Sequence, residues 1–176
     1  MSNTPRWLIA LIMVLQGAVL AGTVVVPTDL VTHNQIVINA APGKVWPLVM
    51  EPSSWKMGPR MINVRGIPGQ LGEQLKGVMD DGHIAFLAEN VEVIANQRRT
   101  IRLSTEDGKF LGFAVWTLTV QGSGTLVQYE VYSQVPLANL GDTPAQIAAA
   151  QKNYHDMNYQ RFAVELTALK KRVEGP

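Results

Sequence analysis

The strongest constraint on the fold is a series of short apolar runs in the middle of the chain, each ended by a turn signal. Asp-Gly and Gly-Ser-Gly between alternating apolar runs are typical of β-hairpins. Six consecutive runs at this spacing favour an antiparallel meander. With an earlier β-branched run, the sequence predicts seven strands: Gln35–Asn39, Met61–Ile67, Glu73–Met79, Ile84–Ile94, Thr100–Thr105, Phe110–Val120 and Thr125–Val135.

After Pro136 the spacing of apolar residues changes from two to three and four. Thr143 and Pro144 form an N-cap and first-position pair, and the apolar stripe then continues until Gly175 and Pro176. This pattern predicts one amphipathic helix over Thr143–Val173.

An antiparallel sheet must bury one face, and the long helix is the element available to cover it. A strongly curved sheet around one helix leaves a cavity between them. We therefore predict an α+β fold, with seven antiparallel strands curved around the C-terminal helix. Two short helical segments are expected after the first strand, one at Gly43–Met50 and one capped by Ser53 or Ser54.

The start of the chain has a different composition. Trp7–Val26 holds 20 residues without a charge, and at ~1.5 Å per residue a helix of that length spans ~30 Å, the thickness of a bilayer core. We interpret it as a transmembrane anchor, preceded by a flank at 1–6 and followed by a linker at 27–33 and a domain at 34–176. The alternatives are a signal peptide cleaved near Ala21 and a buried core helix.

The charges around this segment predict its orientation. Arg6 precedes it, whereas the first lysine after it is Lys44. The positive-inside rule then places the N-terminus in the cytoplasm and the domain on the extracytoplasmic, periplasmic side. If the segment is cleaved, the protein is instead secreted or periplasmic.

Composition argues against several classes of function. A net charge of +1, without clustered cations, gives no footprint for nucleic acid. The absence of cysteine excludes disulfides and thiolate chemistry. The three histidines are far apart in sequence and in no metal-binding spacing, and no phosphate loop or nucleophile elbow is present. We therefore expect no metal, no cofactor and no nucleic-acid partner.

Several weak motifs occur in a specific order along the domain. They are Ile36–Pro42 followed by Val45 and Trp46, then Trp55 and Pro59, Leu71–Glu73, Asn90–Val93 with Arg98, Trp116–Leu118, and Gly124 with Thr125. In this order the chain resembles the SRPBCC superfamily, which includes START-like domains, polyketide cyclases and pollen allergens. The resemblance runs from about Gln35 to Leu169, and the apolar N-terminal segment resembles a bacterial, membrane-tethered subset. Gly58 departs from the pattern, since the family often has a second Trp there.

The resemblance implies a helix-grip fold with a cavity, but not a reaction, because only some members are enzymes. Strand parity and helix spacing predict the walls of that cavity. Small residues in one strand leave room beside a tryptophan, and a few polar groups orient a largely apolar ligand. The expected ligand-binding residues are Gly112, Ala114, Trp116, Leu118, Val127, Tyr129, Val131, Ser133, Tyr154, Asn158 and Phe162. The alternative, that these side chains only fill the core, stays open.

No catalytic residue is assigned. Glu89, Glu92, Glu130 and Arg102 lie in predicted strands, but charges in a half-buried strand usually alternate outward. The leading hypothesis is membrane-tethered binding of a hydrophobic or amphipathic, lipid-like small molecule without catalysis. The alternatives are a cyclase, dehydratase or hydrolase using the same cavity, and a structural domain with a filled core.

Overall fold

The computed structural model describes residues 31–51, 59–133 and 143–175. The strands form a single antiparallel sheet in the order β1-β7-β6-β5-β4-β3-β2, a meander whose last strand pairs with the first. In chain order the elements are β1 (Thr32–Ile38), α1 (Pro42–Met50), β2 (Arg60–Arg65), β3 (Gln74–Val78), β4 (Ile84–Ile94), β5 (Arg98–Ser104), β6 (Phe110–Gln121), β7 (Gly124–Ser133) and α2 (Pro144–Glu174).

The prediction of seven antiparallel strands and a long C-terminal helix is confirmed. β1 begins at Thr32, within the segment expected to be a linker, because its pairing with β7 continues back to Val131. The second short helical segment, expected near Ser53 and Ser54, lies outside the described residues. Within the described part of the chain, no helix is long and apolar enough to cross a bilayer, and the predicted anchor Trp7–Val26 lies outside that part.

The start of α2 is set by a capping box. The Thr143 hydroxyl accepts the Gln146 backbone N–H at 3.4 Å, and the Gln146 side chain accepts the Thr143 backbone N–H at 2.8 Å. These two bonds satisfy donors that a helix N-terminus otherwise leaves unpaired. At the other end, the Gly175 N–H bonds to the Lys171 carbonyl.

The C-terminal half of α2 is fastened to β1. Lys170 Nζ donates to the Val37 carbonyl at 2.7 Å, and the Asn39 backbone N–H donates to Glu174 at 2.6 Å. The buried residues of α2 begin only at Asn158. The helix therefore packs firmly along its second half and lightly along its first.

The core lies between the concave face of the sheet and α2. The Trp116 ring stacks on Tyr129 with centroids 4.1 Å apart, and Tyr129 meets Phe162 edge-on at 4.6 Å. Such aromatic pairs contribute ~0.5–1.5 kcal/mol beyond their burial. Val45 and Val49 of α1 join the same cluster. The three rings form one aromatic cluster that connects β6, β7 and α2.

Candidate ligand pocket

A cavity of about 240 Å³ lies between the concave face and α2. It is bounded by β4, β5, β6 and β7 on one side and by the middle of the helix on the other. Its apolar walls are Phe86, Leu103, Leu111, Val131, Met157 and Phe162, and its polar groups belong to Tyr129, Ser133, Tyr154, Asn158 and Arg161. A mainly apolar wall with a few polar groups is the usual composition of a small-molecule site.

A β-bulge shapes one wall of the cavity. The β5–β6 register passes from Leu103 opposite Gly112 to Ser104 opposite Phe110, which leaves Leu111 as the extra residue. Bulges change the direction of the side chains around them, and Leu111 lines the cavity. At Gly112 a Cβ atom would lie 2.0 Å from the Tyr132 carbonyl oxygen, so glycine is required for this close approach of β6 and β7.

Two hydroxyl groups meet at the edge of the cavity. The Tyr154 hydroxyl donates to Ser133 Oγ at 3.1 Å, which links the first half of α2 to the end of β7. Because Ser133 accepts this bond, its own O–H can donate to a third group. The end of β7 and the helix thus contribute polarity at the same point.

Asn158 is the most informative polar group of the cavity wall. Its side chain is 6% exposed, yet its Nδ2 atom has no hydrogen-bond partner among the described residues. A buried amide donor without an acceptor costs about 1–3 kcal/mol. Four buried side-chain atoms lack a partner among the described residues, and only Asn158 Nδ2 belongs to a residue that lines this cavity.

Arg161 and Glu165 form an ion pair one helical turn further on. The distance from Arg161 Nε to Glu165 Oε1 is 3.3 Å, and the Arg161 side chain is 28% exposed whereas that of Glu165 is only 4% exposed. Burial raises the pKa of Glu165, partly offset by the Arg161 charge. Burial, and then the Glu165 charge, raises the pKa of Tyr129 far above its usual range, so its phenol stays neutral.

A second polar cluster lies on the concave face without lining the cavity. Glu73 accepts bonds from the Gly69 backbone N–H at 2.7 Å, from Asn63 at 3.0 Å and from Asn90 at 3.1 Å. Asn90 in turn accepts Arg99 Nε at 2.8 Å.

Arg99 completes this second cluster. It also donates to the Val49 carbonyl at 2.8 Å, which joins α1 to the sheet. We call Glu73, Asn90 and Arg99 the buried network. All three side chains are at most 2% exposed.

The structure brings six of the predicted ligand-binding residues to the cavity: Tyr129, Val131, Ser133, Tyr154, Asn158 and Phe162. The other five, Gly112, Ala114, Trp116, Leu118 and Val127, lie in the same concave face but are packed into the core and do not line the cavity. The room expected beside Trp116 is occupied by the stacked Tyr129 ring. A ligand contact for any of the eleven stays a prediction.

The sequence analysis missed several charged or polar residues of this interior, although strand parity or helical spacing could have found most of them. Arg99 shares its strand face with Ile101 and Leu103, and Glu165 lies seven residues after Asn158 on the buried stripe of α2. Arg161 lies seven residues after Tyr154 on the same helix, whereas Glu73 has no comparable signal. Leu111 was missed because parity alone does not predict a bulge.

The strand charges considered for catalysis lie on the outer face. Glu130 bonds to His33 at 2.9 Å and Glu92 to Arg98 at 3.0 Å, while Glu89 stands opposite Arg102 in the β4–β5 register. Among the described residues, no group of three or more His, Asp or Glu side chains is placed to hold a metal ion.

Small bacterial proteins of known structure share this fold. A protein of unknown function from Staphylococcus aureus matches with a TM-score of 0.63 at 11% identity, over 82% of this chain and 94% of its own. A protein from Thermus thermophilus matches with a TM-score of 0.62 at 17% identity, over 81% and 96%. The Aha1 protein of Colwellia psychrerythraea, solved in solution as a dimer, matches with a TM-score of 0.55 at 15% identity, over 82% and 96%.

The fold is of the helix-grip type. At these identities the likeness concerns the fold alone, because one fold hosts many unrelated functions. No protein-family model and no curated protein sequence matches the chain. The function must therefore be argued from the cavity.

Proposed function

We propose that this protein binds a small apolar or amphipathic molecule in the cavity between the sheet and α2. The observation that carries the proposal is the buried Asn158 amide, whose Nδ2 atom faces no acceptor among the described residues. Apolar side chains surround it, so a ligand with an apolar body and an acceptor group would satisfy both features.

The size of the cavity limits the ligand. The volume of the cavity is about 240 Å³. This volume is just below the ~300–1,000 Å³ of most small-molecule pockets. A single ring or a short chain fits, and a longer lipid would insert one end only.

The composition of the N-terminus suggests where such a ligand would be collected. We propose that Trp7–Val26 tethers the domain to a membrane, with the domain on the extracytoplasmic side. A ligand of low water solubility is concentrated at a bilayer, and a tethered domain would collect it there. Membership of the SRPBCC superfamily, supported by the helix-grip fold and by the order of motifs, is part of the same proposal.

Binding without catalysis is better supported than a cyclase, dehydratase or hydrolase activity. Acid–base chemistry requires a titratable group within reach of the ligand. Among the described residues that line the cavity there is no carboxylate and no histidine, and burial raises the pKa of Tyr129, one of its two tyrosines, so that this phenol stays neutral. A purely structural role is less well supported, because a filled core would leave no cavity between the sheet and α2.

Two matched variants test the proposal. Val131→Phe places a ring in the cavity, whereas Val120→Phe makes the same change on β6 at a side chain that is 68% exposed. We expect the full-length protein, extracted from membranes and examined by native mass spectrometry, to carry a small-molecule adduct. The adduct should disappear in Val131→Phe and persist in Val120→Phe.

Unfolding curves accompany this test, because overpacking typically costs about 1–3 kcal/mol and the variant must be shown to be folded. A folded Val131→Phe protein that retains the adduct contradicts the proposal. Native protein without any adduct, and without binding of an added apolar fluorescent dye, contradicts it as well.

A further inference from the structure

We propose that the molecule bound in this cavity is a small amphipathic carboxylate, whose carboxylate group pairs with Asn158 and Arg161. This inference rests on the proposed function and names the chemical class of the ligand. The apolar body would lie against the sheet wall of Phe86, Leu103, Leu111 and Val131.

The wall of the cavity presents several hydrogen-bond donors. Asn158 Nδ2 is buried without an acceptor among the described residues. Ser133 already accepts the Tyr154 hydroxyl, which leaves its own O–H to donate. Arg161 is a donor only, with five N–H groups. A wall with this inventory is complementary to a ligand that brings acceptor oxygens.

The cavity wall also carries a positive charge. Arg161 lines the cavity, and among the described residues no Asp or Glu lines it with Arg161. The guanidinium approaches Glu165 through Nε at 3.3 Å, and Glu165 does not line the cavity. A guanidinium bound to one carboxylate through Nε still carries both Nη groups, which can bind a second carboxylate.

The two proposed carboxylate-binding residues lie close together on the helix. Asn158 and Arg161 are three residues apart in α2 and therefore neighbours on one face. The Arg161 guanidinium carbon lies 5.7 Å from the centre of the Phe162 ring, which is itself part of the cavity wall. The cation thus borders apolar surface, as recognition of a head group on an apolar body requires.

Glu165 competes with a ligand for Arg161 and so provides an internal check. Its side chain is 4% exposed, and burial penalises its charge. A ligand carboxylate bound to the Nη groups of Arg161 would lie near this second negative charge and be repelled by it. Removing the Glu165 charge should therefore strengthen carboxylate binding.

The experiment compares two ligands of equal shape on the full-length protein, 3-phenylpropionate and its neutral amide, by titration calorimetry. We expect the carboxylate to bind at least tenfold more tightly, about the effect of one charge-assisted hydrogen bond. Arg161→Gln should weaken carboxylate binding by ~10–100-fold and leave amide binding nearly unchanged. Glu165→Gln should tighten carboxylate binding several-fold.

Lys152→Gln is the matched control, because it removes one positive charge from the exposed face of the same helix. It should leave both affinities unchanged. Equal affinity for the two ligands, or equal loss of both in Arg161→Gln, overturns the carboxylate inference while the proposed binding function stands. Failure of both ligands to bind overturns it too, and the adduct in Val131→Phe then judges the binding function separately.

Discussion

The concave face of this sheet holds two groups of buried polar side chains that differ in how fully they are bonded. In the buried network, Glu73 accepts three hydrogen bonds, Asn90 bridges it to Arg99, and Arg99 reaches the α1 carbonyl of Val49. At the cavity, Asn158 Nδ2 has no partner among the described residues. No carboxylate among the described residues lines the cavity to accept a hydrogen bond from it.

Buried polar side chains in this core therefore differ in whether their hydrogen bonds are satisfied within the chain. Where polar groups bond to one another, they position elements, here α1 on β3 to β5. Where a donor is left unpaired beside a cavity, as at Asn158, it lies where the proposed ligand would bind. Even the buried network retains one orphan atom, Nη2 of Arg99, but no described cavity includes Arg99 in its walls.

The largest expected effect follows from removing the cation of the buried network. Arg99→Met keeps much of the side-chain volume but leaves Glu73 charged and without its positive neighbour. Removing one partner of a buried pair of opposite charges lowers the free energy of unfolding by about 3–5 kcal/mol. Chemical denaturation should show this loss in the free energy of unfolding, whereas binding at the cavity should be unchanged in the protein that remains folded.

Arg98→Met is the control for that change. Arg98 is the neighbouring residue on β5, but its pair with Glu92 is exposed, with side-chain exposures of 48% and 39%. Such pairs contribute about 0–1 kcal/mol. Equal losses of stability in the two variants would contradict the claim that the buried network stabilises the fold.

The same substitution at two asparagines should give opposite signs. Asn90→Leu removes a hydrogen-bond partner from both Glu73 and Arg99 and should lower the free energy of unfolding by about 3 kcal/mol. Asn158→Leu removes an unpaired buried donor and should raise the stability of ligand-free protein by about 1 kcal/mol. Thermal or chemical unfolding of both variants measures this contrast. Comparable losses at the two sites would mean that Asn158 is bonded within the fold.

The smallest effect concerns the pH dependence contributed by Glu165. Burial raises its pKa in the folded state above the ordinary value of 4.5. Between pH 4.5 and the raised pKa, Glu165 holds more protons in the folded protein than in the unfolded chain. In that range this group makes the free energy of unfolding rise as pH falls. Subtracting the unfolding free energy of Glu165→Gln from that of the native protein isolates the contribution. A difference that is flat, or that grows with pH above 4.5, contradicts the assignment.

The parts of the fold that follow local patterns could be predicted from the sequence. Hairpin signals and parity give the strands and place Trp116 and Tyr129 inward, because both depend on neighbouring residues only. The buried network could not be predicted in this way. Glu73 and Arg99 bond through a strand between them and through α1, and single-sequence patterns carry no information on such distant pairs.

Only part of the candidate site could be predicted from the sequence, because it too depends on contacts between distant residues. Strand parity correctly selects the inward residues but does not show which of them border a space and which are packed. That division depends on the bulge at Leu111 and on where α2 approaches the sheet. The N-terminal segment, the ligand and the residues that bind it stay predictions.

The uneven packing of α2 has a kinetic consequence. Every described residue from Pro144 to Met157 is exposed or only half-buried, whereas Phe162, Leu166 and Leu169 are buried. Regions with few buried contacts open at a small fraction of the global unfolding free energy. The first turns of the helix can therefore fray and reform while the sheet stays intact. For the proposed ligand, this local opening is the expected route into and out of the cavity, because Tyr154 and Met157 in the lightly packed half of α2 line it.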